Sequence, residues 1–441
     1  MSYTIEAGPR SGLVPIPSSK SELQRLLLLA ALGEKPVLIR RRGACEDVSA
    51  MIACLRVLGT EILETAEAIR VTPLNSLAFA APLSDTTPLC LPCGESAATL
   101  RFLLPLAGIL NKPLCFERTG SLISRPLEPL IDCLSAHGMQ FRTEGPRLYA
   151  SGQLNGGLFR LPGDVSSQFI SALLMGLPLL RESSVLRVNW PMESQPYVQL
   201  TEEIMKLTGL VLERSELSKP APQGADGGPL SLVFDPFYWI EGGQRPHLPE
   251  EFRAGGDYSA AAAFFCMGAL SPQGILVEGL DPESFQGDKA IVEILCAMGA
   301  ESASEKGMIA LRGGQLKGGI FNTADIPDLV PVLAVTAACA QGNTLLRGAG
   351  RLRYKESDRL QGTVALLEAL GVRAETKEDS ILIYGASLQG GHVKTQGDHR
   401  LAMAAAVAAC AASGPVTLDD ESCINKSYQG FWEDFHNLQR I

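Results

Sequence analysis

Gly397–Ala412 reads GDHRLAMAAAVAACAA, a polar cluster followed at once by an Ala-rich apolar run. Asp is a preferred N-cap residue, so Asp398 marks a helix start. A helix that is apolar on nearly all sides belongs inside a domain rather than on its surface. The pattern occurs five more times: Ser18–Leu32 (SSKSELQRLLLLAAL), Gly94–Leu110 (GESAATLRFLLPLAGIL), Gly163–Leu180 (GDVSSQFISALLMGLPLL), Gly256–Leu270 (GDYSAAAAFFCMGAL) and Ala324–Ala340 (ADIPDLVPVLAVTAACA). Successive copies begin 76, 69, 93, 68 and 73 residues apart. A period of that length marks a repeated supersecondary unit. A buried helix with a polar N-terminus offers unpaired N–H groups and partial positive charge there, which suits anions. Several of the clusters add Lys, Arg or Ser. This is the pattern of an enzyme for small, multiply anionic substrates.

A second series runs in step with the first. Amphipathic stretches close on Gly59, Gly138, Gly209, Gly299 and Gly371. Glycine takes the left-handed conformation that commonly ends a helix. Short strand-like runs follow, such as Ala68-Ile69-Arg70-Val71 and Ile381-Leu382-Ile383-Tyr384. Each unit then reads strand, buried helix, strand, amphipathic helix, strand, strand. Six such units predict two domains of three, because one core rarely grows past roughly 250–300 residues. The Pro/Gly-rich segment Ser218–Pro229 (SKPAPQGADGGP) lies near the midpoint and reads as the crossing between them.

The chain is 46% hydrophobic, with no apolar run near the ~20 residues needed to span a bilayer. The N-terminus MSYTIEAGPR lacks the apolar core of a secretory signal, so the expected location is the cytoplasm. The eleven cysteines are scattered, and Cys90-Leu-Pro-Cys93 has no second pair, so packed, reduced thiols are expected and no metal site. A net charge of −10 argues against nucleic acid as a partner. It also makes the cations at the helix starts more informative.

Lys20, Ser21 and Arg25 open the first buried helix. Ser166, Ser167 and Gln168 open the third, where two hydroxyls and an amide suit a phosphate. Asp328 heads the fifth; a carboxylate there usually caps, but among cations it can act as a general base. Lys355 and Arg359 are i, i+4 and read as sharing a helix face, with Glu356 on a neighbouring one. His399 and Arg400 open the sixth, and Lys426 precedes the last helix. Arg125-Pro126 reads as the opening of the second amphipathic helix, with Pro at the first helical position. Read singly, each cluster is also what a capped or solvated helix would show. Together they set many cations and two carboxylates at equivalent places in a repeated chain, which capping does not require.

The segments PSSKSELQR, CGESAATLRF, Arg125-Pro126, DVSSQF, Ser194-Gln195-Pro196-Tyr197, IPDL, LRYKESDR, GDHR and NKSY resemble, in order, the motifs of the 5-enolpyruvylshikimate-3-phosphate synthase family, from about Pro17 to Phe435. The resemblance implies two inside-out α/β domains, each of three βαβαββ repeats, with the active site in the interdomain cleft. The domains would be 19–250, and 1–18 with 251–441. It implies carboxyvinyl transfer from phosphoenolpyruvate to the 5-hydroxyl of shikimate 3-phosphate, releasing phosphate, by a monomer that needs no cofactor. Ser21, Arg25, Ser166, Ser167 and Ser194 would hold shikimate 3-phosphate, with Tyr197 close by. Arg125, Arg359, Arg400 and Lys426 would hold phosphoenolpyruvate, while Lys20 and Gln168 would touch both. Asp328 would be the base toward the 5-hydroxyl and Glu356 the proton relay at the methylene carbon, with His399 and Lys355 completing the shell. Same-sign charges on the two domains would favour an open state until both substrates bind.

One segment departs from the family. Where the family commonly has Gly followed by a small hydroxyl residue, this chain has Ala97 and Ala98. That alters the region where phosphoenolpyruvate and the inhibitor glyphosate would sit, not the reaction class. Within the same fold the rival is UDP-N-acetylglucosamine enolpyruvyl transferase, which has Lys-Asn where this chain has Lys20-Ser21 and a reactive Cys or Asp in the loop before the Arg-Pro pair; Gly120–Ser124 has neither. A non-catalytic phosphate binder would have no use for Asp328 and Glu356.

Overall fold

A computed structural model describes residues 2–74, 87–220 and 232–441. The chain divides into two compact units. The first comprises Met1–Ser21, Arg41–Asp47 and Arg253–Ile441, and the second Glu22–Arg40 and Val48–Phe252. Among the described residues each contains three sheets.

Gly157–Pro162 shows how a repeat closes. It pairs in parallel with Ser184–Asn189, which pairs antiparallel with Leu232–Ile240, and that strand pairs antiparallel with Leu212–Pro220. Numbered along the chain, the order is 1-2-4-3. The sheets starting at Leu89–Gly94 and Ile320–Asn322 have the same order. Two repeats take their first strand from far away. Arg10–Pro15 pairs in parallel with Ile275–Glu278, and Glu251–Arg253 is the neighbour of Val37–Arg40.

The apolar helices fall inside. In the first unit Tyr258–Ala269, Val330–Ala338 and His399–Ala409 pack on one another, and every residue of His399–Ala409 is buried. Their alanines let the backbones approach closely, which a stripe of leucines would prevent. In the second unit the equivalents are Ala97–Leu103, Ser167–Gly176 and, from Glu22 onward, Lys20–Leu32. The amphipathic series forms Glu46–Val57, Glu128–Ser135, Gln195–Leu207, Ala290–Met298, Arg359–Ala369 and Phe431–Asn437. The five glycines that close these stretches all have positive φ, between 72° and 112°. Among the described residues no helix is long and apolar enough to cross a membrane.

Three expectations need correction. The segment Ser218–Pro229 is not the crossing between units. Its residues 221–229 lie outside those described, but the strands flanking it, Leu212–Pro220 and Leu232–Ile240, form one hairpin inside the second unit. Arg125-Pro126 does not open a helix either: the helix is Glu128–Ser135, and the proline in its first turn is Pro129. Finally, Lys355 and Arg359 do not share a helix face. The helix starts at Arg359, because Asp358 caps it by accepting the Gln361 N–H at 3.0 Å.

Candidate active site

In the first unit Asp328, Lys355, Glu356 and Arg400, singled out from sequence, gather around Arg359. Its guanidinium is fully buried and meets three carboxylates. Nη1 donates to Asp328 Oδ1 at 2.8 Å, Nη2 to Glu356 Oε2 at 2.6 Å, and Nε to Asp398 Oδ2 at 2.9 Å. Asp328 sits on the single turn Pro327–Leu329 that leads into Val330–Ala338. It also meets Lys355 Nζ at 3.2 Å and Arg400 Nη2 at 3.8 Å. Burial works to raise its pKa, but Lys355, Arg359 and Arg400 outweigh burial and hold the carboxyl well below its ordinary range. Burial, countered in part by Asp328, leaves Lys355 with a lowered pKa. The turn between Gly350–Tyr354 and Arg359–Ala369 is what lets Lys355 and Arg359 reach the same carboxylate.

His399 is the first residue of its helix and is buried. Burial, then the Arg400 and Lys20 charges, press its pKa well below the ordinary value, so the imidazole is neutral at pH 7. Lys426 lies buried at the end of the turn Ser422–Lys426. Lys20 and Ser21 group with this unit although their helix continues into the other. Lys20 Nζ pairs with Asp47 Oδ2 at 3.0 Å; burial alone would lower its pKa, and Asp47 reverses the sign.

The second unit gathers the remaining residues. Arg25 is buried and lies over the Phe102 ring, 5.1 Å from its centroid. Its Nε donates to Thr201 Oγ1 at 2.7 Å, and its Nη2 to Ser171 Oγ at 3.2 Å and the Tyr197 carbonyl at 3.1 Å. These oxygens are neutral, and burial brings the guanidinium down to about 10, still charged at pH 7. Ser166 caps Ser167–Gly176 by accepting the Gln168 N–H at 3.3 Å. Ser194 occupies the position just before Gln195–Leu207 with a left-handed backbone, φ 53°, and its side chain does not cap the helix. For a non-glycine residue that conformation costs roughly 1–3 kcal/mol and is typical of ligand-holding positions. Ala97 begins the helix Ala97–Leu103. Arg125 follows the turn Gly120–Ile123. Gly120 has φ +51°, a left-handed backbone that favours glycine, and a Cβ there would displace the Glu95 carboxylate, whose Oε1 would lie 1.9 Å away.

Four residues of these groups were missed from sequence. Arg101 donates from Nη1 to Gln168 Oε1 at 2.7 Å and from Nη2 to the Pro126 carbonyl at 3.1 Å, joining two repeats. It stands inside the quoted CGESAATLRF, and an Arg in an apolar helix was the available signal. Asp398 stands in GDHR, where it reads only as a cap. Asp47 and Asp288 carried no signal. Asp288 is buried, accepts a hydrogen bond from Ser259 and is pushed up to about 6, by burial first and Asp328 second.

An acid whose folded pKa lies above its unfolded value adds full stability below the unfolded value, and loses it as pH rises through the folded one. A rise from 3.8 to about 6 corresponds to about 3 kcal/mol at neutral pH. Asp288→Asn should therefore raise the melting temperature at pH 8 and have little effect at pH 4. Melting curves across that range check this; a gain independent of pH would contradict it.

Among the described residues no group of three or more His, Cys, Asp or Glu side chains is placed to hold a metal ion. The family model described as EPSP synthase (3-phosphoshikimate 1-carboxyvinyltransferase) matches residues 6–435. The 3-phosphoshikimate 1-carboxyvinyltransferase of Methanocorpusculum labreanum is 36% identical, covering 99% of this chain and 98% of its own. That of Clostridium kluyveri is 34% identical, with 97% and 95% covered. In fold, the chain is similar to the EPSP synthase structure from Acinetobacter baumannii, with a TM-score of 0.77 at 23% identity over 99% of this chain and 98% of that one. The chain belongs to the EPSP synthase (3-phosphoshikimate 1-carboxyvinyltransferase) family.

Proposed function

We propose that the two groups of residues divide the family reaction between them. That reaction, carboxyvinyl transfer from phosphoenolpyruvate to the 5-hydroxyl of shikimate 3-phosphate, is the activity of this enzyme. In the proposal Arg25, Ser166, Ser167, Ser194 and Tyr197, with Ser21, hold shikimate 3-phosphate. Arg125, Arg359, Arg400 and Lys426 hold phosphoenolpyruvate, and Lys20 and Gln168 contact both. The observation that carries this is Asp328, a carboxylate within 4 Å of Lys355, Arg359 and Arg400. In the free enzyme those cations make it a weak base. An arriving anionic donor takes up their charge, so Asp328 gains proton affinity when the 5-hydroxyl must be deprotonated.

Glu356, bonded to Arg359, is proposed to move the proton at the methylene carbon, with neutral His399 beside it. The fixed Lys and Arg side chains would stabilise the departing phosphate. We place the enzyme in the cytoplasm as a monomer, as the family resemblance suggests. The test of the function is phosphate release with phosphoenolpyruvate plus either shikimate 3-phosphate or UDP-N-acetylglucosamine. Turnover is expected with the first acceptor only; release with the second alone would overturn the reading.

Ala97 yields a further expectation. It is 5% exposed at its helix start, so its methyl group occupies space that glycine would leave. By the family resemblance, glyphosate would reach further toward this position than phosphoenolpyruvate would. Overpacking a tight site costs roughly 1–3 kcal/mol, or about 5- to 150-fold in affinity. Ala97→Gly should gain glyphosate sensitivity by that factor with little change in KM for phosphoenolpyruvate. Inhibition curves for the two proteins decide it, and equal inhibition would remove the steric account.

A further inference from the structure

We propose that Asp398 is a positioning residue of the phosphoenolpyruvate site, fixing which edge of the Arg359 guanidinium faces the donor and where the helix bearing Arg400 begins. The inference rests on the assignment of Arg359 to phosphoenolpyruvate. Asp398 is fully buried, and as a carboxylate it is no partner for an anionic donor, so it acts through the groups it holds. Its Oδ2 accepts from Arg359 Nε at 2.9 Å and Ser357 Oγ at 3.0 Å. Its Oδ1 accepts from Arg359 Nη2 at 3.1 Å and the Arg400 backbone N–H at 2.9 Å. Four hydrogen bonds fill a carboxylate.

The Nε–Nη2 edge of Arg359 is therefore closed by a bidentate pair, the strong and directional form of this contact. Of the three carboxylates on Arg359, Asp328 and Glu356 have side chains 22% and 12% exposed, whereas Asp398 is at 0%. The first two can give way to an incoming anion. Asp398 cannot follow, because the same carboxylate caps the helix His399–Ala409. One arm of the arginine is thus held while its Nη1 side remains exchangeable, and the cap ties that orientation to the start of the helix that carries Arg400.

The test is steady-state kinetics of the full-length enzyme with Asp398→Asn, Arg359→Lys and the double variant. Asp398→Asn keeps the shape but loses the charge and one pair of acceptor sites. Misplacing a binding group by about an ångström can cost about 100-fold. KM for phosphoenolpyruvate should rise roughly 10- to 100-fold, KM for shikimate 3-phosphate should stay within about threefold, and Asp398→Glu should recover part of the loss. In the Asp398→Asn background, Arg359→Lys should cost much less than in the wild type, because the two act through one contact. Additive effects overturn the proposal. So does a lowered KM for phosphoenolpyruvate, which would make Asp398 only a counterweight to positive charge. If Arg359→Lys alone leaves that KM unchanged, the assignment of Arg359 falls and the proposal with it. If Arg359→Lys raises it and Asp398→Asn does not, only the positioning role falls. Should Asp398→Asn fail to melt cooperatively, Ser357→Ala replaces it by removing one of the four hydrogen bonds: a threefold or greater rise in KM for phosphoenolpyruvate supports the role, and a smaller change overturns it.

Discussion

Asp328→Asn should turn over at least about 100-fold more slowly than the wild type while still binding shikimate 3-phosphate, the usual scale for a lost acid–base group. Asparagine keeps the shape of the side chain and can still accept from Arg359 and Lys355, so the fold should survive. What it lacks is proton affinity. The substitution also leaves Lys355, Arg359 and Arg400 with one negative charge fewer among them, which should hold or strengthen binding of an anionic donor. A fall in kcat with KM for phosphoenolpyruvate unchanged or lower is therefore the expected signature. Rates at saturating substrates, with fluorescence titration of shikimate 3-phosphate, provide the check. Near-normal turnover would remove Asp328 from the mechanism.

Arg25→Ala should raise KM for shikimate 3-phosphate by about 30-fold or more. Truncating one partner of a buried, hydrogen-bonded charge pair costs about 2–5 kcal/mol. Arg25 is held by Thr201, Ser171 and the Tyr197 carbonyl before any ligand arrives, so little ordering remains to oppose binding. Thr201→Val should produce a smaller rise of the same kind, since it frees the guanidinium without removing its charge. KM for phosphoenolpyruvate should stay within about threefold in both. Equal effects on both substrates would mean that Arg25 supports the fold and does not hold the phosphate.

The helices and their ends were legible in the chain because the forces that set them are local. Periodicity decides whether a helix is buried on one side or all round, and a glycine with positive φ stops it within a turn. Gly59, Gly138, Gly209, Gly299 and Gly371 behave accordingly. The candidate site was legible residue by residue for a related reason: cations at helix starts in an acidic protein are conspicuous. Lys355–Arg359 shows the limit. Four charges in five residues fit a solvated helix equally well, and only burial of Arg359 among Asp328, Glu356 and Asp398 required the turn instead.

By itself, then, the sequence determined the repeats, the buried helices with anion-suited starts, and the cations and carboxylates gathered in the candidate site. Tertiary structure alone decided that Arg10–Pro15 completes a sheet with Ile275–Glu278 and that Glu251–Arg253 lies beside Val37–Arg40. It also decided that Asp47 pairs with Lys20, that Arg101 holds Gln168, and that Asp398 holds Arg359. These are pairings of groups distant in the chain. Their partners are selected by the cost of leaving a buried charge or a strand edge unsatisfied, and that cost exists only once the chain has folded.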